Sequence, residues 1–387
     1  FGVGLGLYQY VYPRYALPVE GQIARYGKVA QTAHSEYLQM GVELGVAGIG
    51  IFCWGVFLVA RDAVSVLRRR LRRWQRGVAV GVSGSAAGIL IHAAVDSNLH
   101  EPALAIVLTL CVGILIALQR LSGRSPDSVR VVPVRSRLVW GICGTLVIGL
   151  LAVGVGRLGM AWMAFEAGSQ QATRQNYSQA IGSYRVAIVL DSGKALYHSS
   201  MAAAHFQVFQ RKRDWAAAQT AVSELQSAIA LNPLDGRLRG LLGDLYAMFA
   251  RTIASSAAFS ETAREQQRVW LRSARLAYER AAELEPFAVS SQLELARVYL
   301  ALGEREEALA RAQRAIEIEP NYLPGREWLA KVYLQSQQFA AANREYHEIL
   351  DRQRRYGMWV KDPTEESFLK ADVAALAAAL EEARART

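Results

Sequence analysis

The sequence predicts an all-α protein: about four polytopic membrane helices followed by a helical solenoid. Three observations predict it. In the first 156 residues, apolar runs approaching twenty residues alternate with arginine-rich loops. From Met160 onward the chain turns alanine-rich and charged, with a helical period. Within that second part, matching residues recur every 34 positions.

The apolar runs cover roughly 41–60, 77–95, 102–118 and 138–156. Each approaches the ~20 residues that span a bilayer core. The stretch 61–76 carries seven arginines against Asp62, net +6, and 119–137 carries five against Asp127, net +4. These two loops account for the whole net charge of +10. The short loop "DSNLHEP" has no Lys or Arg. The positive-inside rule therefore puts both arginine loops in the cytoplasm. Residues 1–40 and everything after the fourth run then fall outside, on the periplasmic face of a bacterial inner membrane. Residues 1–156 read as a membrane domain and 157–387 as a periplasmic repeat domain.

A pI near 9.6 is also compatible with nucleic-acid binding. Confinement of the charge to loops between apolar runs argues against nucleic acid as a partner. Cys53, Cys111 and Cys143 each fall inside an apolar run, without metal or disulfide spacing. They read as small apolar residues, and no metal or cofactor is expected. The chain opens at Phe1 with no basic n-region, apolar h-region or cleavage site. It is expected to be a piece of a longer protein whose upstream part is missing.

Pro286 and Pro320 are 34 apart, as are Leu295 and Leu329, Ala296 and Ala330, Tyr299 and Tyr333, and Ala308 and Ala342. A 34-residue helix–turn–helix period is the tetratricopeptide signature. Small residues such as Ala296 and Ala308 let paired helices approach, and Leu295 and Tyr299 fill the space between them. An earlier copy starts at Pro233, with Gly243 and Tyr246 in the places of Ala296 and Tyr299. The polar stretch 251–267 accounts for its greater length. A weaker copy, "NYSQAIGSYRVAIVLDS", puts Ala180 and Ala187 on the packing face. Three to four repeats are expected, closed by the helix "ADVAALAAALEEARAR".

The stretch "AHSEYLQMGVELGVAG", 33–48, holds the candidate site. At 100° per residue, Gly41, Gly45 and Gly48 lie near the direction of His34, so glycines cut a groove below it. Such a groove serves close helix packing or admits a polyprenyl chain, and the spacing allows both. His34 itself reads either as a helix-start residue beside a capping Ser35 or as a reactive imidazole.

This stretch resembles the periplasmic-loop motif of the O-antigen ligase and polymerase superfamily, matched here by His34, Ser35, Gly45 and Gly48. "FGVGLGLYQYVYPRY" resembles the stretch preceding that motif. "IHAAVDSNLHEPALA" resembles the following outward turn, through His92, Asp96, Asn98, Leu99 and His100. The resemblance covers about residues 1–120. It implies a membrane glycosyltransferase of lipopolysaccharide biosynthesis. Such an enzyme moves a glycan from a polyprenyl (undecaprenyl) pyrophosphate carrier in the membrane lipid to a hydroxyl of an acceptor lipid, glycan or protein.

The resemblance carries His34 as the general base. A leaving pyrophosphate calls for arginine, and Arg25, Arg14 and Lys28 lie on the outer loop. Arg25 is the first choice, against the plain reading of these residues as solvated loop charges. His92 is a further substrate-binding candidate or one half of a hydrogen-bonded pair with Asp96. Much of the family's site lies upstream of these motifs, so the chain alone is expected to be inactive. The alternative is a non-enzymatic, membrane-anchored tetratricopeptide scaffold for an envelope assembly complex. In either case the repeats are expected to take a protein partner.

Overall fold

The computed structural model describes residues 1–26, 30–122, 134–255 and 260–385. Arg124, Arg130 and Lys28 lie outside the described residues. All regular structure among the described residues is helical. The chain divides into two compact units. One comprises Phe1–Tyr12 and Ala30–Leu150, the other Pro13–Val29 and Leu151–Thr387.

The first unit opens with a single turn, α1 (Tyr8–Val11), followed by α2 (Glu36–Leu67), α3 (Arg73–His92) and α4 (Pro102–Ser122). It ends in the first part of α5 (Val134–Thr173). Among the described residues three helices are long and apolar enough to cross a membrane: Glu36–Leu67, Ala103–Leu121 and Gly141–Thr173. The second of the four expected spans is helical, as α3, but is not among them. Gly77, Gly81, Ser83, Gly84, Ser85 and Gly88 dilute its apolar character. Val66, Ala79 and Leu118 form a small core among α2, α3 and α4. Arg69 Nη1 donates to the Gln119 carbonyl at 2.6 Å, meeting an orphan acceptor at the end of α4.

The helix α2 is broken at Gly45, whose φ of 71° and ψ of −164° leave the helical region. An L-residue with a side chain rarely adopts such a conformation. The break frees carbonyls that the N-terminal segment takes up. Val3 N–H donates to Val42 O at 2.9 Å, and Gly4 N–H donates to Glu43 O at 2.8 Å. A Cβ on Gly45 would stand 2.6 Å from Gly2 N, so the close approach requires glycine here as well.

The second unit is the repeat array. Its helices are the end of α5, then α6 (Tyr177–Leu190), α7 (Ala195–Lys212), α8 (Trp215–Leu231), α9 (Gly236–Ala254) and α10 (Glu261–Leu284). They continue with α11 (Val289–Leu302), α12 (Arg305–Ile318), α13 (Leu323–Gln335), α14 (Phe339–Tyr356), α15 (Pro363–Leu369) and α16 (Val373–Ala385). Consecutive helices pair as α7–α8, α9–α10, α11–α12 and α13–α14. This is the tetratricopeptide arrangement that the 34-residue period predicts.

Ala296, Ala308, Ala312, Ala330 and Ala342 are fully buried where helices meet, with Leu295 and Leu329 beside them. Ala180 and Ala187 are buried likewise, so "NYSQAIGSYRVAIVL" is indeed a repeat helix, α6. The pair α7–α8 has no counterpart among the copies recognised in the sequence. The polar stretch 251–267 lengthens α9 and α10, apart from the undescribed residues between them. Gly243 is required by packing: a Cβ there would lie 2.7 Å from the Tyr278 ring. The helix α16 closes the array, with Leu376 and Leu380 packed into the last core beside Leu323 and Ile349.

Caps set the boundaries. Asp214, Asp235 and Ser260 each accept a first-turn amide of α8, α9 and α10. Gly303, at φ 86°, ends α11.

One pH effect follows from the packing. Glu294 on α11 is half-buried, and burial pushes its carboxyl above the ordinary range, with Arg297 opposing and Asp244 adding to the rise. A raised carboxyl stabilises the fold below its unfolded pKa, and that contribution is lost as pH rises through the folded value. Glu294→Gln is therefore expected to raise the thermal midpoint at pH 7, by an amount that shrinks on acidification. Midpoints compared at pH 7 and pH 5 check this, and a gain that grows toward pH 5 would contradict it.

Candidate functional site

The structure distributes the expected site residues over both units. His34 and His92 belong to the first unit, and Arg14 and Arg25 to the second. His34 precedes α2 with φ 49°, on a left-handed turn, and has no hydrogen-bond partner among the described residues. Ser35 is the N-cap, its Oγ accepting Leu38 N–H at 3.4 Å. The groove projected from His34 through Gly48 assumed one continuous helix. The turn at His34 and the break at Gly45 remove that register. His92 ends α3 with its side chain exposed. Asp96 Oδ1 instead accepts Ser97 N–H at 2.8 Å. Arg14 is exposed, and the Arg25 guanidinium pairs with Glu20 at 2.5 Å.

Beside His34 lies a buried polar chain that the sequence reading passed over. Glu36, 0% exposed, accepts Leu99 N–H, His100 N–H and His100 Nδ1–H at 2.8, 3.1 and 2.9 Å, all at Oε1. A carboxylate only accepts, so the ring donates from Nδ1 and accepts at Nε2. Gln39 Nε2 meets that Nε2 at 3.3 Å and donates to Glu43 Oε1 at 3.1 Å. Glu43 Oε2 accepts Gly6 N–H at 2.9 Å. The chain ties the turn before α4 and the N-terminal segment to α2. Its signal was present: Glu36, Gln39 and Glu43 form a polar stripe at helical spacing entering an apolar run.

The second unit contains a different arrangement. Residues 19–26 form a loop closed by Val19 N–H donating to Arg25 O at 2.9 Å. Gly21 has φ 81°, the left-handed conformation that such a turn requires. The loop is seated on the last repeats. Ile23, 3% exposed, enters the core of Leu323, Ile349, Leu369 and Leu376. Full burial of such a side chain contributes about 1.5–3 kcal/mol. Tyr26 stacks on Phe287, with centroids 4.3 Å apart and planes 4° apart.

The main chain of the loop is gripped directly. Glu319, 1% exposed, accepts Arg25 N–H at Oε2 (2.8 Å) and Tyr26 N–H at Oε1 (2.7 Å). Asn321 Nδ2 donates to Ile23 O at 3.3 Å. Burial pushes the Glu319 carboxyl up, and the two amides and Arg25 pull it back. A cleft of about 420 Å³ opens beside the loop, bordered by Gly21, Ile23, Tyr356, Trp359 and Lys361. Among the described residues no three His, Cys, Asp or Glu side chains gather as a metal site.

Among solved structures the chain is similar to tetratricopeptide-repeat proteins. One is TTC0263, a thermophilic repeat protein of Thermus thermophilus, at 19% identity and TM-score 0.39, covering 57% of this chain and 99% of that one. Another is pilF of Pseudomonas aeruginosa, at 17% identity and TM-score 0.39, covering 59% and 90%. A third is MamA, at 15% identity and TM-score 0.39, covering 49% and 96%. No family model and no curated protein matches the chain.

These findings correct the expectation of an enzyme. The similar structures are tetratricopeptide-repeat proteins.

Proposed function

We propose that the chain is a membrane-anchored tetratricopeptide scaffold that presents its repeats to a protein partner at the outer face of a bacterial inner membrane. The observation that carries this reading is α5. Its most apolar 18-residue stretch is 0% buried, with Leu146, Val147, Ile148, Leu150 and Leu151 all exposed. Bare apolar surface of that extent on a helix with satisfied backbone suits lipid. Further along the same helix, Ala161 and Phe165 enter the core of the first repeat.

Chain parity supports the sidedness. Pro13–Val29 belongs to the repeat unit, which agrees with an even number of crossings, α3 included, in this reading. The arginines of 61–76 fall in the cytoplasm, as the positive-inside rule requires.

The test is cysteine labelling in cells, with Cys53, Cys111 and Cys143 replaced by alanine. A membrane-impermeant maleimide is expected to label Ser199→Cys in the repeats without permeabilisation, and Arg70→Cys only after it. The opposite pattern, or release of the chain by alkaline carbonate, would overturn the reading.

A further inference from the structure

The structure assigns a docking site to the last repeats. We propose that Val19–Tyr26 is its resident plug and that a partner protein engages the site by replacing the plug with a loop of its own. The inference rests on the reading of the chain as a repeat scaffold. The chemistry of the partner loop is set by what the plug offers. It must present two adjacent main-chain amides, an aliphatic side chain two residues before the first of them, and an aromatic ring at the second.

The repeat period supplies the first argument. Glu285 lies 34 residues before Glu319, and each follows the last helical residue of its pair and precedes a proline. The Glu285 carboxylate accepts Arg237 N–H at 3.1 Å, at the start of α9, and so ties its own repeat together. The Glu319 carboxylate, at the same repeat position, is given to Arg25 and Tyr26 instead. A group that elsewhere closes a repeat here holds a segment 294 residues distant in sequence.

The seat supplies the second argument. It grips the plug through main-chain groups and two side chains, Ile23 and Tyr26, while Glu20 and Val19 stay exposed. The plug is short and closed on itself, so a preformed loop of like chemistry meets the same seat at little ordering cost. The surface also extends beyond the plug. Trp359 borders the same cleft and remains 65% exposed. An exposed indole beside a seated loop is apolar area left for a larger partner to cover.

Because the plug belongs to the same chain, it competes with an added peptide as an intramolecular ligand. A fluorescent peptide of residues 18–26, cyclised through its ends, is the probe, read by anisotropy on the full chain in detergent. Three proteins are compared: wild type, the plug variant Ile23→Asp/Tyr26→Ala, and the plug variant carrying Glu319→Ala. The plug variant is expected to bind the probe at least 30-fold more tightly than wild type, and Glu319→Ala is expected to remove at least 10-fold of that affinity. Binding that is equal in wild type and plug variant, or indifferent to Glu319, would overturn the proposal. So would a plug variant that keeps its helical circular dichroism and still ignores the probe. If the plug variant loses its helicity, Tyr26→Ala alone replaces it, with a 5-fold gain expected and no gain counting against the proposal. Failure here with the cysteine labelling intact removes the docking site and leaves the scaffold standing. Failure of the labelling alone removes the membrane reading.

Discussion

Phe249→Ala is expected to cost about 3–5 kcal/mol, as truncation of a buried aromatic does. Phe249 is 2% exposed at the joint of α7–α8 and α9–α10. Its ring meets Phe209 at 5.2 Å and 84°, Trp270 at 5.3 Å and 74°, and Trp215 at 5.5 Å. Edge-on pairs of this kind add to the area term, and alanine leaves a cavity that three large rings cannot close. In an array where each pair touches only its neighbours, damage stays local. Amide exchange is expected to accelerate across α7–α10 while α13–α16 keep their protection. The thermal midpoint of the repeats should fall by roughly 10 °C, on the usual scaling for a domain of this size. A loss below about 1 kcal/mol would mean that the rings do not hold the two pairs together.

Glu36→Ala is the second large effect. One buried carboxylate oxygen holds two backbone amides and an imidazole, and removing it strands all three donors at once. Each buried group left unmatched costs about 1–3 kcal/mol, and water reaching the half-exposed His100 lowers the total to about 3. The negative charge at the first turn of α2 is lost as well, worth a further few tenths of a kcal/mol. The readouts are the melting midpoint in detergent and the rate of proteolytic cutting in the turn 96–101, expected to rise at least tenfold. Glu36→Gln keeps an acceptor at the same place and is expected to recover most of the loss. Cutting that is no faster in Glu36→Ala would show that the turn is held by something else.

Much of the repeat array was legible in the sequence because its causes are local and periodic. Small residues such as Ala296, Ala308 and Ala330 must recur wherever helices touch, and their spacing survives in the linear text. Gly243 was placed in the right register, but its partner Tyr278 lies on the other helix and only the fold reveals why no larger residue fits. The break at Gly45 was not legible. A glycine in an apolar run reads as a packing surface, and nothing local shows that the chain turns left-handed there to receive residues 2–4.

The plug was hidden for the same reason in stronger form. "GQIARY" has the composition of an exposed loop, and Arg25 drew attention through its charge. Its main-chain amide, which Glu319 holds, leaves no trace in the side-chain pattern. A sequence period carries no information about a pairing that skips nearly the whole chain. Glu36 and Glu43 were overlooked beside His34, although a carboxylate entering a membrane-grade run is the costlier residue to bury.

Glu319 takes hold of hydrogens on main-chain nitrogen, and beyond them feels the charge of Arg25. As donors to that carboxylate, all amino acids but one are interchangeable. A proline at either position has no hydrogen to give. An imino acid at position 25 or 26 would therefore unseat the loop while altering neither the charge of the surface that receives it nor a single side chain on the repeats.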